Sequence, residues 1–149
     1  MRHGFVLMFR KRRRGKRICQ LEAAQRELFF KDHADNGINI SVGNNFFANF
    51  GLTILDEAPV SFGDNVFIGP GCGFYTPCHP TDIEARNAMV QWAKPITVGN
   101  NVWIGGNCTI LPGVTIGDGC TIGAGSVVVS DIPAGTVAVG NPCRPVKKL

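Results

Sequence analysis

Between Ile96 and Val129 the apolar positions recur every six residues. Val98, Ile104, Ile110, Ile116, Ile122 and Val128 are all β-branched aliphatics. Two places before each stands Ile96, Val102, Cys108, Val114, Cys120 or Ser126, again apolar or small. Glycine follows four of the six anchors (Gly99, Gly105, Gly117, Gly123), and between them lie turn-formers such as Asn100-Asn101, Pro112-Gly113 and Asp118-Gly119. A helix does not accommodate this pattern, because a step of six carries successive anchors to different faces, and Pro112 and the glycines oppose helical geometry. Alternation within each hexad suits a short strand, and each turn pair bends the chain after it. Strict repetition of such units predicts an all-β solenoid, a parallel β-helix in which three short strands make a coil of about eighteen residues.

The period extends upstream. Val42, Ala48 and Ile54 keep it, and Phe62, Ile68 and Phe74 keep it again, two residues out of phase. The slip falls at Asp56-Glu57-Ala58-Pro59, which predicts a corner carrying two extra residues. Two adjacent carboxylates that break an apolar pattern mark either a functional corner or a merely solvated one. From Tyr75 to Lys94 the hexads vanish and the chain reads YTPCHPTDIEARNAMVQWAK, with Thr81 to Met89 suited to a helical turn. The repeat then resumes in phase at Val98, so this stretch is a loop ejected from the solenoid, and long loops on rigid scaffolds commonly carry function. Beyond Val129 the sequence predicts a last strand at Thr136 to Val139, a turn and a basic end. The spacing gives roughly four to five coils, and the partly apolar sides of such a prism predict a homo-oligomer.

Upstream of the repeats stands a basic tail, MRHGFVLMFRKRRRGKR, followed by ICQLEAAQRELFF. The tail is either solvated or a contact for an acidic partner or membrane surface. The second run lacks Gly and Pro and predicts one short helix over 18–30, placed to cover the open end of the solenoid. The expected division is a tail-and-helix segment, 1–34, and a β-helix domain, 35–149.

Charge and cysteine content narrow the function. The net charge of +4 misleads, since seven of the fifteen basic residues fall in Arg10 to Arg17 and leave eight against eleven acidic residues elsewhere. A mildly acidic body does not indicate a nucleic-acid-binding surface. The six cysteines form no CxxC pair, and Cys108 and Cys120 occupy interior hexad positions. Reduced thiols in a cytoplasmic protein are expected, not a disulfide or zinc framework. The apolar run Phe5 to Phe9 is too short for a membrane span, and its basic block follows it, the wrong order for a signal peptide.

His79 is the one histidine inside the repeat region, and it sits in the ejected loop between Cys78 and Pro80. Imidazole is the side chain best matched to take a proton near neutral pH. Cys78 beside it is a second candidate, as a nucleophile. No metal is expected: a three-histidine zinc site lacks its ligands, because His3 and His33 lie before the repeats.

From about Asp35 to Lys148 the chain resembles the maltose and galactoside O-acetyltransferases of the hexapeptide-repeat superfamily, with the nodulation-factor acetyltransferases close by. The runs that carry the resemblance are FFANFGLTILDEAPVSFGDNVFIGPG, YTPCHP, KPITVGNNVWIGG and GNPCRPVKKL. The resemblance implies a left-handed parallel β-helix assembled as a homotrimer, with acetyl-CoA as co-substrate in a groove between subunits. It implies that His79 is the general base for a small-molecule hydroxyl acceptor, and that Asp35, Asn49 and Glu57 contact that acceptor. It places the backbone amide of Gly106 at the thioester carbonyl, where it would stabilise an oxyanion. Trp103 and Ala124 match residues along the pantetheine arm, and Arg144 and Lys147 match basic contacts to the nucleotide end, where cations suit phosphates. Ser130 falls at the cofactor-binding position where many relatives carry a lysine, and residues 1–34 do not match the family's N-terminal helical segment.

Structural readings stand beside these. Trp103 covers a subunit interface just as well, Arg144 and Lys147 suit solvated tail charges, and Gly106 is also a turn residue. The resulting reading is an acetyl-CoA-dependent O-acetyltransferase acting on a sugar or similar small molecule. The alternatives are an antibiotic acetyltransferase of the same fold and a non-catalytic β-helix scaffold.

Overall fold

A computed structural model of the chain describes residues 34–149 together with the backbone of Leu7 and Met8. The helix predicted over 18–30, and all of the basic tail except those two residues, lie outside the described residues. The tail contributes β1 (Leu7–Met8), and the coils then run β2 (Ile40–Val42), β3 (Phe47–Ala48), β4 (Thr53–Leu55), β5 (Val60–Phe62), β6 (Phe67–Ile68) and β7 (Gly73–Tyr75). An excursion follows, with β8 (Pro77–Cys78), a helix α1 (Ile83–Asn87) and β9 (Trp92–Ala93). The coils resume as β10 (Ile96–Val98), β11 (Trp103–Ile104), β12 (Thr109–Ile110), β13 (Thr115–Ile116), β14 (Thr121–Ile122) and β15 (Val127–Val128), and the chain ends with β16 (Thr136–Gly140) and β17 (Cys143–Lys148).

The strands stack into three faces of a left-handed parallel β-helix. A first face holds β2, β5, β10 and β13, and a third holds β4, β7, β12 and β15. The second face is seven-stranded, in the order β1-β3-β6-β11-β14-β16-β17. Its coil strands pair in parallel, while β1 and β17 add antiparallel at its two ends. The register shows why the hexad pattern slips. Equivalent corner residues lie 18 apart in the later coils (Asn100 and Asp118) but 20 apart in the first (Asn44 and Asp64), so two residues are extra at 56–59. Across the excursion the step is 36, one whole coil more than usual, and the solenoid therefore resumes in phase.

Each hexad anchor points inward. Val98, Ile104, Ile110, Ile116, Ile122 and Val128 are all buried, as are the residues two places before them. The early coils fill their interior with aromatic rings instead: Phe62 packs between Phe46, centroids 5.0 Å apart, and Phe74, 5.1 Å apart and edge-on. Corners are held by stacked amides. Asn45, Asn65 and Asn101 all take a left-handed backbone (φ 54, 57 and 56) and donate side chain to side chain, Asn45 to Asn65 at 2.8 Å and Asn65 to Asn101 at 3.1 Å. Asparagine suits such a ladder because it tolerates positive φ and carries both donor and acceptor.

Close coil stacking dictates glycine at one corner in particular. A Cβ on Gly69 would stand 2.5 Å from the Gly106 nitrogen and 2.8 Å from the Gly105 carbonyl carbon. Both are backbone atoms of the next coil and have no rotamer to escape into. Gly69→Ala is therefore expected to cost about 1–3 kcal/mol as an overpacked site, read as a lower urea midpoint. An unchanged midpoint would contradict this account of the corner.

The structure adds a strand at the C-terminus, where the sequence reading predicted only a basic end. The basic end is a six-residue strand, β17, which turns back through a cis Asn141-Pro142 bond and pairs along β16. Pro145 lies within this strand and lacks an N–H for a ladder. It is accommodated because β17 is an edge, where a missing N–H breaks no ladder on the outer side.

Candidate active site

His79 is held by a built loop. At the end of β7 the chain buries Thr76, whose hydroxyl donates to the Leu55 carbonyl at 2.7 Å and accepts the Ala58 N–H at 3.0 Å. The Thr76 carbonyl accepts the Lys94 N–H at 2.9 Å, which closes the mouth of the excursion. The β8–β9 pairing forms its stem. At its tip α1 is capped by Asp82, which accepts the Ala85 N–H at 2.9 Å, as expected of an aspartate at a helix start. His79 is exposed on this frame, and its Nδ1 lies 3.3 Å from the Val90 carbonyl. A carbonyl only accepts, so in the neutral ring this contact is made by the tautomer protonated at Nδ1, which leaves the lone pair on Nε2. The half-buried Cys78 thiol donates to the Thr76 carbonyl at 3.8 Å and forms no nucleophile–base pair with His79.

The carboxylate corner divides in two. Glu57 is exposed, whereas Asp56 is fully buried. Asp56 Oδ1 accepts the N–H groups of Asn36 at 2.8 Å and Gly37 at 3.0 Å, and Oδ2 accepts those of Ile38 at 3.1 Å and Asn39 at 3.0 Å. Burial alone would raise its pKa, but the N–H groups of Asn39, Gly37 and Asn36 outweigh burial and hold the carboxyl below its ordinary value. A depressed carboxyl pKa stabilises the fold above the unfolded-state value, and that contribution is lost as pH falls through the lowered one. Asp35, exposed, adjoins this segment and is tied by its N–H to the Ile54 carbonyl at 3.0 Å. Asp35, Glu57 and the root of the His79 loop thus share one corner of the prism, between the third and first faces, in successive layers.

The other candidates lie elsewhere. On the second face a groove of about 440 Å³ is lined by Phe47, Asn49, Phe67, Ile68, Gly69 and Trp103. Phe47, Phe67 and Trp103 are in-register neighbours on β3, β6 and β11, with Phe47 and Phe67 rings 6.1 Å apart. Gly106 and Ala124 sit at the adjoining corner in successive coils, where the Gly125 N–H donates to the Gly106 carbonyl at 2.9 Å. Among the described residues the Gly106 N–H makes no hydrogen bond. Arg144 and Lys147 lie on β17 at the end of the same face. Ser130 does not join them. It is exposed just after β15, at the corner between the third and first faces that the His79 loop also leaves.

The sequence reading missed Phe47 and Phe67 as groove residues, because their alignment with Trp103 appears only after the two-residue slip and the inserted coil are subtracted. It also missed Thr76 and the Val90 carbonyl, for which no residue pattern gives a signal. Cys72, Cys108 and Cys143 are buried in the core, where the Cys72 thiol donates to the Gly105 carbonyl at 3.1 Å. The interaction between Cys72 and Cys108 pushes the first thiol up, helped by burial, and lowers the second. Among the described residues no cluster of three or more His, Cys, Asp or Glu is placed to hold a metal, and no helix is long and apolar enough to cross a membrane.

Residues 95–130 match the bacterial transferase hexapeptide (six repeats) family. The chain is 50% identical over 113 residues to galactoside O-acetyltransferase of Escherichia coli, covering 76% of this chain and 56% of that protein. It therefore spans a little over half the length of that relative. Among solved structures it superposes on a maltose O-acetyltransferase from Clostridium difficile with a TM-score of 0.80 at 45% identity, covering 86% of this chain and 76% of that one. It likewise superposes on a galactoside acetyltransferase in complex with coenzyme A with a TM-score of 0.78 at 43% identity, covering 85% and 71%. The chain belongs to the maltose and galactoside O-acetyltransferase family of hexapeptide-repeat proteins.

Proposed function

We propose that this protein is an acetyl-CoA-dependent O-acetyltransferase acting on a hydroxyl of a sugar or similar small molecule. The observation that carries the reading is the exposed His79 with Nδ1 directed to the Val90 carbonyl, which presents a basic Nε2 from the one loop that breaks the solenoid. In the proposed reaction Nε2 takes the acceptor hydroxyl proton while the oxygen attacks the thioester carbonyl carbon. The oxyanion receives the Gly106 N–H, the C–S bond breaks, and the CoA thiolate recovers the proton from the imidazolium. Trp103, Gly106 and Ala124 line the acyl-carrying arm of acetyl-CoA, and Arg144 and Lys147 face its phosphates.

The site is completed by a second copy. His79, Asp35, Glu57 and Ser130 belong to one corner of the prism, while Asn49, Trp103, Gly106 and Ala124 belong to the second face and its far corner. A cyclic trimer lays the corner of one subunit against the second face of the next, which also covers the exposed Ile83, Met89, Val90 and Trp92 of the loop. The reduced core cysteines suit a cytoplasmic enzyme, and residues 35–149 form the catalytic domain. The test is thiol release from acetyl-CoA across sugars, aminosugars and antibiotics. Turnover on a sugar supports the reading, turnover on antibiotics alone replaces the acceptor class, and failure to bind acetyl-CoA at about millimolar concentration would leave a scaffold.

A further inference from the structure

The exposed Glu57 and the buried Asp56 are neighbours in sequence with opposite fates. Asp56 is 0% exposed, yet among the described residues it meets no cation, and its two oxygens are consumed by four consecutive backbone N–H groups, Asn36 to Asn39. A fifth bond runs in the same direction, since the Asn39 side-chain amide donates to the Asp56 carbonyl at 2.8 Å. The clamped segment is irregular, with Gly37 at φ 70 and no strand within residues 34–39, and strand-like contacts hold it at its two ends, the Ala34–Ile54 bridge and the Asn39 carbonyl that accepts the Val60 N–H at 2.9 Å. Directly beside it is Asp35. From the other side the same corner is gripped by Thr76, at the root of the His79 loop.

We propose that Asp56 is a positioning residue for the acceptor: its carboxylate holds the 36–39 backbone, and with it Asp35, against the corner that presents Glu57 and the His79 loop. This rests on the acetyltransferase reading for its functional half, and on geometry alone for the clamp. An amide in place of the carboxylate turns one oxygen into a donor facing two N–H groups, which leaves both unpaired. The 36–39 segment then frays, and acceptor binding has to order that backbone itself. Fixing a single residue costs about 1–2 kcal/mol, so roughly a tenfold rise in the acceptor KM is expected.

The test uses Asp56→Asn in the full chain, with Asp56→Glu as the variant that keeps both oxygens. Two readouts are taken: hydrogen exchange of the Asn36 to Asn39 amides, and KM for acceptor and for acetyl-CoA measured separately. The expected result is at least tenfold faster exchange confined to those amides, a raised acceptor KM, an acetyl-CoA KM unchanged within about twofold, and partial recovery of both effects in Asp56→Glu. Unchanged exchange overturns the clamp. Faster exchange with an unchanged acceptor KM, or with both KM values rising together, overturns the positioning role and leaves a structural one. A wild-type protein without turnover on any acceptor fails the acetyltransferase reading instead, and the exchange result still decides the clamp.

Discussion

Replacing His79 by alanine is expected to lower acetyl transfer by roughly two to four orders of magnitude, the usual weight of a positioned general base. An acceptor hydroxyl is a poor nucleophile until its proton has somewhere to go, and no other imidazole lies within the described residues beyond position 34. The loss belongs in kcat, because the side chain is exposed and the loop it stands on is tied down by other groups: the Thr76 hydrogen bonds, the β8–β9 pairing and the Asp82 cap. Thermal unfolding and the sedimentation profile of the variant should match those of the parent. Retained activity would remove the base assignment, and a collapsed assembly would show that His79 holds the loop in place rather than moving a proton.

The largest stability effect is expected from Phe62→Ala. Phe62 lies between Phe46 and Phe74 in the first two coils, at 5.0 and 5.1 Å between ring centroids, and is 4% exposed. Truncation removes both ring contacts and opens a cavity that the neighbouring coils cannot close, since their spacing is fixed by the strand ladders. A loss of about 3–5 kcal/mol follows from large-to-small substitution in a rigid core. Urea unfolding checks it, and a change below about 1 kcal/mol would mean that the coils relax inward. Activity should fall along with stability here, since β5 leads into the coil whose next two strands carry Phe67 of the groove and the Thr76 root of the loop.

Most of this fold was readable because a β-helix repeats one local rule. The six anchors from Val98 to Val128 each needed only a neighbour eighteen residues away, so periodicity alone placed them inside. The two-residue slip and the ejected loop were legible for the same reason, as interruptions of a regular count. The less regular parts were not. At the corner 56–59 no alternation says which carboxylate turns inward, and the inward choice of Asp56 depends on four N–H groups that appear only when the first coil is stacked beneath it. The strand at Cys143 to Lys148 has no hexad anchor to announce it, and its Pro145 is tolerated because β17 is an edge. The candidate site was named almost entirely through family resemblance. The resemblance implied a site between subunits, but not which candidates stand at a corner of the chain and which on its second face.

That division leads to the most direct test of the account, thiol release from acetyl-CoA by His79→Ala, by Asn49→Ala and by the two co-expressed in equal amounts. Each variant alone is expected to be close to background. If a trimer assembles at random, half of the corners keep His79 and half of the facing grooves keep Asn49, so about one quarter of wild-type activity should return in the mixture. Recovery near that level would place the base and the groove of each site on different subunits of an acetyltransferase. A mixture no more active than the single variants, while still assembling, would place both residues of the site on one chain and contradict the proposed arrangement.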